Sequence, residues 1–189
     1  MPYQSCPACG LRTYCVSGEE CPRCGTPLDG VRRASDAAPG WRADSEAHGA
    51  VERVLAVARR ELRMDVAMLT EVRDGREEVR WVVGNGRMPA FVAGAGVPLD
   101  DTICKRLLDG TTPAIVPDAA ADAVLRDLPV VRGTGLRAYI GVPVSGAALA
   151  RYVLCCLALE ARPDLSEADL RFVRGLVESV RSAVERTGA

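Results

Sequence analysis

"MDVAMLTEVRDGREEVRWVVG", Met64 to Gly84, decides how the rest of the chain is read. Its first half is rich in Val, Met, Leu and Thr, residues that suit a pleated, half-buried surface. Asp74-Gly75 is a two-residue hairpin signal, because both positions accept the left-handed backbone that such a turn needs. "EEVRWVVG" then returns antiparallel to the first half. Upstream, Val51, Val54, Leu55, Ala58 and Leu62 recur at three- and four-residue steps, which predicts an amphipathic helix with Asp44 or Ser45 as its cap.

Downstream, "GNGRMPAFVAGAG" (84–96) reads as a loop, rich in glycine and interrupted by proline. Asp100 or Asp101 is expected to cap a short helix in "TICKRLLDG" (102–110), which Gly110 ends. "PAIVPD" (113–118) is a short strand stopped by Pro117, and residues 119–135 read as irregular or weakly helical. "LRAYIGVPV" (136–144) and "ARYVLCCLALE" (150–160) follow as two strands joined around Ser145-Gly146. In the closing segment, Ser166 with an acidic residue three positions on has capping-box spacing. Leu170, Val173, Leu176, Val177, Val180 and Val184 then line one helical face. The order predicts an α+β fold: an antiparallel sheet, terminal helices on one face, loops and a short helix on the other.

The N-terminal segment is a different kind of sequence. Five of the eight cysteines lie before Gly25. Four of them form Cys6-Pro7-Ala8-Cys9 and Cys21-Pro22-Arg23-Cys24, with eleven residues between the pairs. Gly10 and Gly25 follow the second cysteine of each pair, where the backbone must turn so that amides face the sulfurs. Four thiolates at this spacing close a tetrahedron around one structural zinc ion and leave no open position. Rubredoxin-like iron, disulfides and free thiols are the alternatives. Some thirty residues bury too little apolar surface to fold unaided, so a metal would supply the missing stability. The repeated CPxCG knuckles resemble a zinc ribbon over Tyr3 to Leu28, with Cys6, Cys9, Cys21 and Cys24 as the metal ligands and Cys15 as a strand residue. The expected division is therefore a ribbon at 1–30, a linker at 31–44 that mixes Gly, Pro, Ser and charge, and a larger domain at 45–187.

The totals set limits on partners. The 189 residues are 48% hydrophobic, 26% charged and only 4% aromatic, with formal net charge -1 and pI near 5.9. Such a balance gives no general attraction for nucleic acid or an anionic membrane. Arg12 and Arg23 are outnumbered by Glu19, Glu20 and Asp29 before Gly30, which favours a protein over a nucleic-acid partner for the ribbon. No basic stretch followed by an apolar run opens the chain, and the run Tyr152 to Leu159 is too short to span a bilayer as a helix. A reducing, cytoplasmic setting is expected, where cysteine prefers metal to disulfide.

The larger segment, about Glu46 to Arg186, resembles a GAF domain. The resemblance is carried by "MDVAMLTEV-DG-EEVRWV", "LDDTICKRLLDG", "AIVPD", "RAYIGVPV", "YVLCCLALE" and "LSEADLRFV", and it is nearest to a bacterial sensory subgroup with TICxRLLDG and LCCL-like strands. It implies a cavity between the sheet and the loop-helix layer that binds a small molecule, and a homodimer through the terminal helices. By that analogy the cavity wall draws on Trp81, Phe91, Cys104, Asp118, Arg137 and Tyr139. Cys155 and Cys156, adjacent on a strand, must face opposite sides of the sheet. Cys104, near a helix start and beside Lys105 and Arg106, is where a thiol pKa would be lowered.

Three functions follow. The preferred one is a non-enzymatic sensor or regulator that binds a small molecule or senses redox state, signals through a protein partner and docks by its zinc ribbon. The second is a nucleic-acid-associated ribbon protein with the GAF domain as dimeriser. A third is a thiol enzyme of the free methionine sulfoxide reductase type; "DAAADAVLRDLP" (118–129) lacks the further cysteines that such enzymes carry there. The cyclic-nucleotide signature of other GAF domains and the Cys-His pair of bilin carriers are both absent, and His48 is the single histidine where haem would need one as ligand.

Overall fold

The computed structural model describes residues 3–5, 12–14, 45–144 and 152–186. Cys6, Cys9, Cys21 and Cys24, the linker and the Ser145-Gly146 turn lie outside these residues. Tyr3–Ser5 (β1) and Arg12–Tyr14 (β2) pair antiparallel on either side, in sequence, of the first cysteine pair.

The remaining elements are α1 (Ser45–Glu61), β3 (Val66–Arg73), β4 (Arg76–Val83), β5 (Gly96–Pro98), α2 (Ile103–Leu108), β6 (Ile115–Val116), α3 (Pro129–Thr134), β7 (Ala138–Val144), β8 (Tyr152–Ala158) and α4 (Glu167–Arg186). The six strands β3 to β8 form one antiparallel sheet in the order β5-β4-β3-β8-β7-β6. The hairpin over Met64 to Gly84 forms as expected, with Asp74 and Gly75 both at positive φ. The loop expected over 84–96 gains structure at its end: β5 starts at Gly96 and pairs with β4. A three-residue strand between loops carries too little periodicity to read from sequence.

All seven residues of β8 are buried. Such a strand shows no polar alternation, because neither face of the sheet meets water. On one face α1 and α4 pack on each other and on the strands, with Leu55, Leu69, Ile140, Leu154, Cys156 and Val173 in a shared core. The other face packs Met68, Val153, Cys155 and Leu157 against Cys104 on α2, Val131 on α3 and residues between them. Cys155 and Cys156 thus face opposite cores, as strand geometry requires.

Helix ends are fixed by specific bonds. Helix α1 ends in a Schellman turn: Arg63 takes a left-handed conformation (φ 51°), and the Met64 and Arg63 amides donate to the Arg59 and Arg60 carbonyls. At the start of α4 the Ser166 amide donates to Asp169 Oδ2 over 2.8 Å, the reciprocal half of the expected capping box. The cap of α2 differs from expectation. Asp100 and Asp101 belong to a preceding 3-10 turn, and Thr102, with extended backbone, accepts from the Lys105 amide through Oγ1 at 3.2 Å. The two aspartates fall one and two residues before the position whose side chain caps the helix.

Arg162 ties the β8–α4 connection to the end of α1. Its Nη1 donates to the carbonyls of Leu62 (2.6 Å) and Arg63 (3.0 Å), while Nε and Nη2 grip Asp164. These contacts satisfy helix-end carbonyls with a cation, where the helix dipole favours one. Hydrogen bonds from Arg162 hold the Asp164 carboxyl down at about 2. Arg162→Ala is expected to cost about 1–3 kcal/mol, seen as a lower urea midpoint at neutral pH. A carboxyl with a depressed folded pKa contributes above its unfolded value, near 3.9, and loses that contribution as pH falls through about 2. The gap between Arg162→Ala and wild type should therefore narrow as the medium is acidified toward pH 2. A constant gap would show that Asp164 takes no part in the tie.

Candidate functional site

Between the second face of the sheet and the layer of α2, α3 and the 90–102 loop lies a cavity of about 40 Å³. A single water needs roughly 10–15 Å³, so the space holds a few waters or a small ligand group. Its wall is mostly apolar, with a polar end formed by Glu77, Cys104 and Tyr139.

Of the six residues expected at this wall, Phe91, Cys104 and Tyr139 line it. Trp81, Asp118 and Arg137 do not. Trp81 lies in the core on the helical side and donates from Nε1 to His48 Nδ1 on α1 over 2.8 Å. The cause is a register shift between Leu69 and Thr70, where Leu69 pairs with Trp81 and Thr70 with Val79, leaving Arg80 as an extra residue. Strict alternation from Val79 would have placed Trp81 on the cavity face; the bulge reverses it. Arg80 uses the kink to reach Glu71 Oε2 (3.2 Å) and Glu78 Oε1 (2.8 Å), two carboxylates that oppose each other across the hairpin. Asp118 and Arg137 form a forked pair with each other, Nε to Oδ1 at 2.6 Å, outside the cavity. Arg137 lowers the Asp118 pKa and Asp118 raises that of Arg137.

Two residues at the site were not expected from sequence. Glu77 stands in a Glu-Glu pair that reads as solvent-facing, yet it is 5% exposed and turns inward beside Val79. Cys155 was placed on a face but not in a constellation. One ligating atom each of Glu77, Cys104 and Cys155 lies within 4.8 Å of the other two, and all three residues are buried. Cys104 Sγ also lies 3.3 Å from Tyr139 Oη.

The electrostatics run against the expectation for Cys104. Its pKa is raised well above the ordinary thiol value, first by hydrogen bonding with Cys155, then by burial and by the Glu77 charge. The cations meant to lower it point elsewhere: Lys105 pairs with Asp109, and Arg106 reaches only the Asp100 carbonyl. Burial first, then Cys104, raises the Tyr139 phenol, and burial raises Cys156. Thiols held protonated in this way are poor nucleophiles.

Gly141 makes the Tyr139 position possible. It lies directly opposite Cys155 on β8, and a Cβ at 141 would stand 2.0 Å from Tyr139 Oη. Gly141→Ala is expected to destabilise the domain by about 1–3 kcal/mol and to expel the phenol from the cavity wall. Denaturant unfolding with tyrosine difference absorbance reads both effects, and an unperturbed Tyr139 in a stable Gly141→Ala protein would disprove this packing.

Residues 44–185 match a family described as GAF domain. No curated protein matches the chain significantly. Among solved structures, a far-red cyanobacteriochrome photoreceptor matches with TM-score 0.60 at 12% identity, covering 78% of this chain and 91% of that one. The phycoerythrobilin-bound GAF domain of a cyanobacterial phytochrome gives 0.61 at 17%, covering 76% and 88%. The GAF domain of Acinetobacter phosphoenolpyruvate-protein phosphotransferase gives 0.58 at 15%, covering 77% and 86%. Identities this low establish a shared fold and nothing finer.

Proposed function

The chain belongs to the GAF domain family, and from that premise we propose that it is a non-enzymatic sensory module whose cavity receives a small molecule. The observation that carries this reading is the cavity itself: an apolar chamber with one polar end, walled by Phe91 on a loop and Tyr139 on the sheet. Pockets of that character orient a ligand through few polar groups and hold it by apolar burial. The wall opposite the sheet is built from α2, α3 and loops, so occupancy alters packing in the layer most able to shift. The signal leaves through α1 and α4, which pack behind the same strands and pair with a second copy. One solved neighbour is a phycoerythrobilin-bound GAF domain; this chain lacks the Cys-His attachment pair, and a cavity of about 40 Å³ suits a much smaller guest. Elevated thiol pKa values, Cys104 above all, weigh against the thiol-enzyme alternative. The N-terminal segment acts as a structural zinc ribbon on Cys6, Cys9, Cys21 and Cys24 that docks a protein partner in the cytoplasm.

Native mass spectrometry of protein purified from its own host should show a dimer with a retained small molecule. Val97→Trp, which fills the chamber, should lose that molecule while the fold persists. A ligand held at a hundred times its Kd stabilises the native state by about 2.7 kcal/mol. Protein that retains nothing and is not stabilised by any of a panel of small metabolites sinks the sensory reading.

The ribbon is tested separately. Substituting Cys21→Ser and Cys24→Ser should render residues 1–30 protease-sensitive and leave the thermal transition of the larger domain in place, since cores that fold independently melt independently. A ribbon that resists protease without its thiols would remove the metal from this account.

A further inference from the structure

We propose that Glu77, Cys104 and Cys155 form a second metal site, one that binds Zn2+ inside the GAF domain with its fourth coordination position open to the chamber. The trio comes from three separate elements, β4, α2 and β8, and its ligating atoms converge within 4.8 Å in a buried space. Around a zinc ion with Zn–S near 2.3 Å and Zn–O near 2.0–2.2 Å, tetrahedral ligand atoms stand roughly 3.5–4 Å apart. The present arrangement, with ligating atoms no more than 4.8 Å apart, is close to that spacing.

The chemistry of the donors selects the metal class. Two sulfurs favour a borderline-soft cation over Mg2+ or Ca2+, and one carboxylate completes a three-ligand set. Three protein ligands are the pattern of a site that keeps a position for water or an incoming ligand, unlike the closed four-thiolate set of a ribbon. The open direction faces the apolar chamber, because Glu77 and Cys104 line it and Cys155 packs in the same core behind them. Tyr139 Oη, 3.3 Å from Cys104 Sγ, is placed as the outer-shell partner that orients a ligating sulfur.

The same grouping is hard to explain as packing alone. No arginine, lysine or histidine among the described residues forms an ion pair with Glu77. A carboxyl and two thiols drawn together in the core gain no hydrophobic burial that Leu or Val would not give, and a divalent cation compensates such a cluster.

This inference deepens the chamber reading and rests on it only for what the open position faces. Full-length protein dialysed against Zn2+ and freed of loose ion should carry two zinc ions per chain by native mass spectrometry, one in the ribbon and one here. The Cys104→Ser/Cys155→Ser variant should carry one ion fewer, and Cys156→Ser, altered on the opposite face, should keep the wild-type number. Should the double variant fail to fold, Glu77→Gln provides the reading: at least 10-fold weaker Zn2+ binding to one site in competition with a chromophoric chelator. Co2+ in place of Zn2+ should give sulfur-to-metal charge-transfer absorption that the double variant reduces. A zinc count unchanged in both Glu77→Gln and Cys104→Ser/Cys155→Ser, or one that falls equally in Cys156→Ser, overturns the assignment. No organic ligand takes part, so failure here leaves the chamber reading standing, and an empty chamber leaves the zinc count standing.

Discussion

A sheet buried on both sides governs this domain. Every second residue of β3, β7 and β8 must enter one of two separate cores, and no position on these strands is free to be polar without a local partner. One core is sealed by two long helices that pack on each other and behave as a single lid. The other is sealed by short pieces, a six-residue α2, a six-residue α3 and loops, which cannot fill the space above the sheet as continuously as a long helix does. The chamber is the consequence. It lies where the covering layer is assembled from fragments, and its polar end lies where β4, α2 and β7 bring Glu77, Cys104 and Tyr139 together.

The bulge at Arg80 decides what each core contains. By adding one residue to β4, it sends Trp81 to the helical side and leaves Val79 and Glu77 on the chamber side. Trp81 is then anchored through His48 on α1, so the largest side chain of the sheet serves the helical lid. Arg80, released at the kink, bridges Glu71 and Glu78, which would otherwise face each other as like charges across the hairpin. One inserted residue thus relieves a repulsion, fixes a helix and clears the chamber of an indole.

Much of this is legible in the amino-acid sequence. The Met64–Gly84 hairpin, the paired strands around Cys155-Cys156, the terminal helices and the Ser166 capping box all rest on local signals whose periods are strong. Phe91, Cys104 and Tyr139, grouped through the family resemblance, line one cavity in the structure. The failures share a cause in non-local geometry. Trp81 was misplaced because a bulge leaves no mark in residue type, and the cap of α2 shifted because Thr102 competes with two nearby aspartates at one-residue spacing. Asp118 and Arg137 satisfy each other, which a sequence separation of nineteen residues does not announce. Glu77 was missed because a Glu-Glu pair signals solvent unless a tertiary neighbour is already known.

The position of the thiols bears on what kind of function such a chamber can support. A cysteine at the start of a helix, flanked by cations, reads as reactive only if the helix is long enough to present a field and the cations face the sulfur. Helix α2 has six residues, its basic side chains turn to Asp109 and to a carbonyl, and Cys104 meets a carboxyl, a phenol and another thiol instead. The surroundings of Cys104 therefore oppose a free thiolate and favour either a protonated thiol or a sulfur bound to a cation. Both states are static. On the proposed reading, a chamber lined in this way would recognise and hold a small molecule, and the helices packed behind the sheet would carry the consequence outward.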